Sequence, residues 1–268
     1  MSITCVAILC VRNEALHIQR AVTSFVDQGI DVVIIDHEST DNTVKLCERF
    51  KAAGVLSIEH MPWTGTFDLA EQLKMKQRIS ETLNHDWIIH ADADEWLQSP
   101  IQGETLLEGI NRISDSGFNV INFEEFVFLP YREQELEANY DYYQKRILTY
   151  YFFAPGKSRL MRAWSRSSNL QNIESGGHKL SGAEINVAPE SFILKHYLVM
   201  SYEHAIKKYV GRKFSERELQ MGMHKKRAAL NEQKLQLPQI ESLSVISRWD
   251  SVELDRTGPK KSHFWDWH

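Results

Sequence analysis

The sequence predicts an α/β fold: a mostly parallel central sheet flanked by helices, followed by a helical C-terminal extension. Three observations predict it. Over the first ninety residues, short β-branched and apolar runs alternate with segments whose apolar positions recur at helical spacing, the pattern of consecutive strand–helix units. The strand runs are apolar throughout rather than alternating, as strands covered on both faces are. Acidic and polar residues stand just after several of these runs, where open α/β sheets form their ligand crevice.

Taken in order, Cys5–Cys10 is a strand buried on both faces. Asn13 is placed as the N-cap of a helix striped by Leu16, Ala21, Val22, Phe25 and Val26, with Gly29 as its stop. Asp31–Ile35 is the second strand and ends at Asp36. Ser39-Thr40-Asp41 then caps a helix carrying Val44, Cys47, Phe50 and Ala53, closed by Gly54. Val55–His60 is the third strand, Pro62-Trp63-Thr64-Gly65-Thr66 a loop, and Asp68–Leu83 a helix. Trp87–Ala91 is the fourth strand, and it runs into Asp92-Ala93-Asp94. The order β-α-β-α-β-α-β is Rossmann-like.

The second half is less regular. Phe118–Leu129, Arg159–Trp164 and Ser191–Tyr197 read as strands, and Ser201–Ala229 as one charged helix. Tyr140, Tyr142, Tyr143, Tyr150 and Tyr151 suit either core packing or an aromatic platform for sugar rings. Without a repeat or a clean linker, the expected organisation is one domain over residues 1–200, in halves 1–98 and 99–200, with an extension over 201–268.

Composition narrows the function classes. With 43% hydrophobic residues a chain of 268 builds a real core, which excludes disorder as its default. A net charge of −5 argues against wholesale binding of nucleic acid. Cys5, Cys10 and Cys47 are too few and too irregular for a disulfide framework, and read as buried thiols in a reducing compartment. The first residues lack a signal-peptide pattern, and the longest apolar runs are too short to cross a bilayer. The expected location is therefore cytoplasmic. The basic residues of 201–229, among them Lys207, Lys208, Arg212, Lys213 and Lys225, suit either a solvated helix or peripheral contact with the inner face of a membrane.

The sharpest chemical signal is Asp92-Ala93-Asp94-Glu95. Two carboxylates one residue apart at the end of a buried strand can hold Mg²⁺ or Mn²⁺ and leave positions open for diphosphate oxygens. If the strand continues through them, period-two alternation puts Asp92 and Asp94 on one side. The competing use is that Asp92 caps the next element and Asp94 is solvated.

Three motifs in order, Cys10-Val11-Arg12-Asn13-Glu14, Ile35-Asp36-His37-Glu38-Ser39-Thr40-Asp41-Asn42-Thr43 and Asp92-Ala93-Asp94-Glu95-Trp96-Leu97, resemble family 2 glycosyltransferases of the GT-A fold. The resemblance implies a nucleotide-diphosphate sugar donor, a saccharide or lipid-linked acceptor, and inverting, metal-dependent transfer. It places Cys10, Arg12, Glu14, Asp36 and His37 around the nucleotide and Lys76 facing the donor. Asp92 serves the ribose, and Asp92 with Asp94 the metal and diphosphate. His37-Glu38 departs from the pattern, since Asn-Gly or Asp-Gly is usual there and glycine relaxes a tight turn.

A weaker likeness, Gly176-Gly177-His178, makes His178 the candidate third metal ligand or diphosphate contact, and His196, at the end of Phe192-Ile193-Leu194, could play the same part. The base that takes the acceptor proton is expected to be a carboxylate. Glu174, beside those glycines, is the first choice, with Glu124 and Glu125 as alternatives on opposite faces of one strand. Two rival functions remain in view: a nucleotidyltransferase, which usually carries a glycine-rich first loop that Cys10–Leu16 lacks, and a non-catalytic saccharide- or nucleotide-binding protein.

Overall fold

A computed structural model describes residues 3–134, 143–156 and 160–267. In chain order the elements of the first half are β1 Cys5–Val11, α1 Ile18–Val26, β2 Asp31–Asp36, α2 Thr43–Glu48, β3 Val55–His60, α3 Leu69–Thr82, β4 Trp87–Ala91 and β5 Glu95–Gln98. There follow α4 Leu106–Asp115, β6 Val120–Phe128, α5 Tyr143–Arg146, β7 Thr149–Phe153, β8 Met161–Ser165 and β9 Phe192–Tyr197. The last elements are α6 Tyr202–Tyr209, α7 Glu216–Gln220, α8 Lys225–Ala228 and the short β10 Ser244–Val245. The chain packs as two units. One comprises Met1–Trp63, Leu69–Glu124 and Ser158–Leu194; the other comprises Thr64–Asp68, Glu125–Lys157 and Lys195–His268.

In the first unit β3, β2, β1 and β4 are parallel neighbours, with Leu9 level with Ile34 on one side and Ala91 on the other. The sheet then turns antiparallel: β8 pairs with β4 and β6 pairs with β8. Period-two alternation sorts the side chains of each strand onto two buried faces. Ala7, Leu9, Val32, Ile34 and Ile89 pack under Ile18, Val22 and Phe25 of α1 and Ile110 and Ile113 of α4. Val6, Ile8, Val33, Ile35 and Ile88 face the other way, toward Met75 and Ile79 of α3. Burial on both faces is why these strands read as continuous apolar runs.

Two local expectations change. Asn13 does not cap α1: its φ is +56°, and its Oδ1 accepts from the Thr40 amide at 2.7 Å. The helix starts only at Ile18, so residues 12–17 remain loop. Helix α4 lacked a place in the sequence reading, although its start carries a capping box: Thr105 accepts from the Glu108 amide while Glu108 accepts from the Thr105 amide.

In the second unit β7 pairs antiparallel with the later half of β6, Val127 level with Tyr151, and β10 adds to β7. Val127, Leu129, Tyr151, Leu198, Val199, Tyr209, Leu235, Phe264 and Trp265 form its core. The aromatic stretch near the C-terminus, Phe264-Trp265-Asp266-Trp267, thus joins the core, with Phe264 only 1% exposed. Tyr143, Tyr150 and Tyr151 are buried as well and serve packing rather than an open platform; Tyr140 and Tyr142 lie outside the described residues. The single helix expected over 201–229 is three short ones. Gly211 and Gly222 adopt φ of +73° and +86°, and a left-handed residue ends a right-handed helix. Among the described residues no helix is long and apolar enough to cross a membrane.

Candidate functional site

Parallel alignment of β1, β2 and β4 brings their C-terminal ends to one edge of the sheet. The loops that leave β1 and β2 there are locked together by side chains. Ser39 Oγ accepts from the Asn13 amide at 2.9 Å, Thr43 Oγ1 from the Glu14 amide at 2.8 Å, and Asp41 Oδ2 from the Ala15 amide at 3.1 Å. Asp41 Oδ1 also accepts from the Thr43 amide at 2.8 Å, while the N-cap position of α2 is Asn42, which makes no side-chain cap bond. The Asp36 carboxylate, nearly buried, accepts from the Ser39 amide at 3.2 Å. Short polar side chains make such bonds to neighbouring backbone readily.

His37 is 1% exposed rather than a surface liner. Its Nδ1 lies 3.1 Å from the Gln72 amide nitrogen, and its ring meets the edge of Trp63 at 4.9 Å. Burial, then the Arg12 guanidinium, lowers its pKa from the ordinary value, so it is held neutral. Cys10, one residue before the end of β1, is pushed up to about 12 by burial, with Lys76 opposing and Asp92 and Asp36 adding to the rise. It stays a thiol.

The acidic pair sits on a turn. Strand β4 stops at Ala91, and the Glu95 amide bonds the Asp92 carbonyl at 3.1 Å, so strand alternation does not govern Asp92 and Asp94. What orients Asp92 is charge. Lys76, 3% exposed on α3, donates to the Ala91 carbonyl at 3.0 Å and lies 3.5 Å from Asp92 Oδ1. Arg162 on β8 lies 3.5 Å from Asp92 Oδ2 and donates to Glu95 Oε1 at 2.5 Å. Glu95, 2% exposed, uses its other oxygen to accept from the Asp92 amide at 3.0 Å. Lys76 is therefore a buried cation beside Asp92.

Arg162 and Glu95 join the candidate site through these contacts, and the sequence pattern had not singled them out as site residues. A lone arginine inside the apolar stretch Met161-Arg162-Ala163-Trp164 was the available signal, because a buried charge needs a partner. Deeper under the same edge, His90 is fully buried, and its Nδ1 lies 3.2 Å from the Asn172 amide nitrogen. Burial, then Lys76 and Arg162, holds its pKa well below the usual histidine range.

The donor set on this turn is carboxylate oxygen, which suits a hard divalent cation that takes its remaining ligands from water and diphosphate. Asp92, half exposed, and Asp94, 8% exposed, are the residues that would hold it. His178 does not complete a ligand set. Among the described residues no three acidic, histidine or cysteine side chains converge for a metal. Its loop is nonetheless close by: a Cβ on Gly177 would come within 3.2 Å of Leu73 on α3 and 4.0 Å of Arg162. The His178 carbonyl accepts from the Met161 amide at 2.9 Å, which commits its backbone to the edge of β8 and leaves the residue exposed.

The three candidate bases stand in different settings. Glu174 is exposed on the loop before Gly176 and Gly177, whose φ values are +64° and +82°. Glu124 is half-buried on β6. Glu125, on the same strand and part of the second unit, is 5% exposed and pairs with His196 Nδ1 at 2.7 Å.

Comparison with known proteins places these observations. The family described as Glycosyl transferase family 2 matches residues 6–169, more than half of the chain. An uncharacterized glycosyltransferase of Rickettsia bellii (strain RML369-C) is 34% identical over 99 residues, 37% of this chain and 30% of the relative. One of Rickettsia felis is 33% identical over 98 residues, 37% of this chain and 31% of the relative. The match thus spans under a third of these relatives. Among solved structures, S. aureus TarS 1-349 has 12% identity and a TM-score of 0.43, covering 80% of this chain and 68% of that one. Its complex with UDP-GlcNAc has 11% identity and a TM-score of 0.41, covering 80% and 69%.

Proposed function

The chain belongs to glycosyl transferase family 2, its α/β sheet being GT-A-like, and from that premise we propose that it transfers a sugar from a nucleotide-diphosphate donor to a hydroxyl of a saccharide or lipid-linked acceptor. Transfer is metal-dependent and inverting, and belongs to synthesis of a bacterial surface polysaccharide or glycoconjugate on the cytoplasmic side. One observation carries the reading. The Asp92–Asp94 turn stands at the edge where the β1 and β2 loops interlock, with Lys76 and Arg162 both 3.5 Å from Asp92.

In this reading residues 1–200 act as the catalytic domain and 201–268 as its extension. Arg12, Glu14, Asp36 and His37 surround the nucleotide. Asp92 and Asp94 hold Mg²⁺ or Mn²⁺, which when bound neutralises charge on the departing diphosphate. Lys76 and Arg162 add fixed positive charge at the place where negative charge develops, and fixed charges need no reorganisation as the bond breaks. Glu174 takes the acceptor proton, with Glu124 and Glu125 as the residues to test beside it.

The test is Asp94→Asn. A calorimetric titration of nucleoside diphosphate with Mn²⁺ into this variant should show at least ~10-fold weaker binding, and sugar transfer should fall at least ~10². The variant without ligand should be no less stable than the parent, because it loses one charge of a close acidic pair. Unchanged metal-dependent binding and turnover would remove the metal site. A protein that binds nucleoside diphosphate but turns over no donor would favour a non-catalytic binding role.

A further inference from the structure

Glu38 occupies a left-handed turn, φ +57°, where glycine would be unstrained. Its side chain does what glycine has no atoms to do. Glu38 Oε2 accepts from the Trp63 amide at 2.8 Å and so pins the β3–α3 loop onto the β2–α2 loop. The Trp63 indole then lies over the Arg12 guanidinium, 4.0 Å from ring centroid to Cζ. Arg12 Nη1 donates to the His37 carbonyl at 2.6 Å and to the Glu38 carbonyl as well. His37 closes the group by meeting the edge of Trp63 while Gln72 holds its ring.

The guanidinium is therefore fixed in position and plane. Both recorded bonds use Nη1, so among the described residues Nε and Nη2 keep their N–H groups available. A planar cation with two parallel donors, covered on one face by an indole, suits a flat heterocycle that presents oxygen at its edge. Uracil, cytosine and guanine have an exocyclic carbonyl for such donors; adenine has none. We infer that Glu38 and Trp63 are positioning residues that set Arg12 against the nucleobase, and that this group selects carbonyl-bearing bases over adenine. The inference rests on the nucleotide-binding reading above and adds to it the source of base choice.

The experiment measures dissociation constants of UDP, GDP, CDP and ADP with Mn²⁺ for the parent, Trp63→Ala, Trp63→Phe and Glu38→Gly, with inorganic pyrophosphate as the arm that lacks a base. The parent should bind at least one of UDP, GDP or CDP ~10-fold tighter than ADP. Trp63→Ala and Glu38→Gly should collapse that ratio toward one, Trp63→Phe should keep most of it, and pyrophosphate affinity should stay level throughout. An unchanged ratio in Trp63→Ala overturns the inference. So does an equal loss for pyrophosphate, which would direct Arg12 to phosphate. A parent that binds every nucleoside diphosphate without preference overturns it too, while leaving the glycosyltransferase reading intact. A parent that binds none removes both.

Discussion

Replacing Arg162 by methionine tests whether the platform beneath Asp92 is held by one buried ion pair. Arg162 is 9% exposed and Glu95 2%, and Nη2 donates to Oε1 at 2.5 Å. Removing the cation leaves a carboxylate out of water beside the acidic turn. Breaking a buried pair from one side costs about 3–5 kcal/mol, because the stranded charge keeps its desolvation penalty without its partner. With an unfolding entropy of about 2.1 cal/mol/K per residue, that loss over a chain of this length is a fall in Tm of roughly 5–9 °C. Glu95→Gln with Arg162→Met removes both charges, and should recover at least about 2 kcal/mol relative to the sum of the single losses. Urea unfolding of the four proteins of this cycle gives the numbers. The reasoning fails if Arg162→Met stays within about 1 kcal/mol of the parent, or if the double variant is as unstable as the two single losses added.

Two further outcomes follow from the packing and the charges. Gly109→Ala, inside α4, would ordinarily gain about 1 kcal/mol of helix propensity. Here the new Cβ would stand 2.9 Å from Phe192 Cε2 and Cζ, and overpacking of that kind costs about 1–3 kcal/mol. The urea midpoint should therefore fall, and a rise would show that Phe192 can move aside. His37 is neutral in the fold with its pKa below the ordinary 6.5, so the unfolded chain binds the extra proton first as the pH drops. Its contribution is fully present above pH 6.5 and is lost as the pH falls through that value toward the lower folded one. His37→Gln should lose less stability than the parent between pH 7.5 and about 5.5, measured by denaturant midpoints; parallel pH curves would show that His37 is not the group responsible.

Much of this protein was legible along the chain, and the legible parts share a cause. Buried parallel strands are apolar on both faces, so Cys5–Val11, Asp31–Asp36 and Trp87–Ala91 declare themselves without knowledge of their neighbours. The Ser39–Thr43 stretch and the Asp92–Asp94 pair were legible for a related reason: short polar residues directly after such strands have one edge of the sheet to occupy. The capping box of α4 was equally local, and only went unread.

What tertiary structure decided depends on which distant segments become neighbours. Arg162 meets Glu95 across 67 positions only because β8 lies antiparallel beside β4; no periodicity within Met161–Ser165 could announce that partner. Glu38 looked like a defect in a glycine turn until Trp63 came to lie on it, 25 positions on. The carbonyl of His178 bonds the Met161 amide, 17 positions back along the chain, a tie that no local pattern around Gly176-Gly177-His178 could announce. The aromatic C-terminal stretch packs into the core of Val127, Leu198 and Tyr209, far from it along the chain. Local composition sets where a strand, a cap or an acidic turn can form. Charge pairing and aromatic packing act through space, and only the order of strands in the sheet says which residues share it.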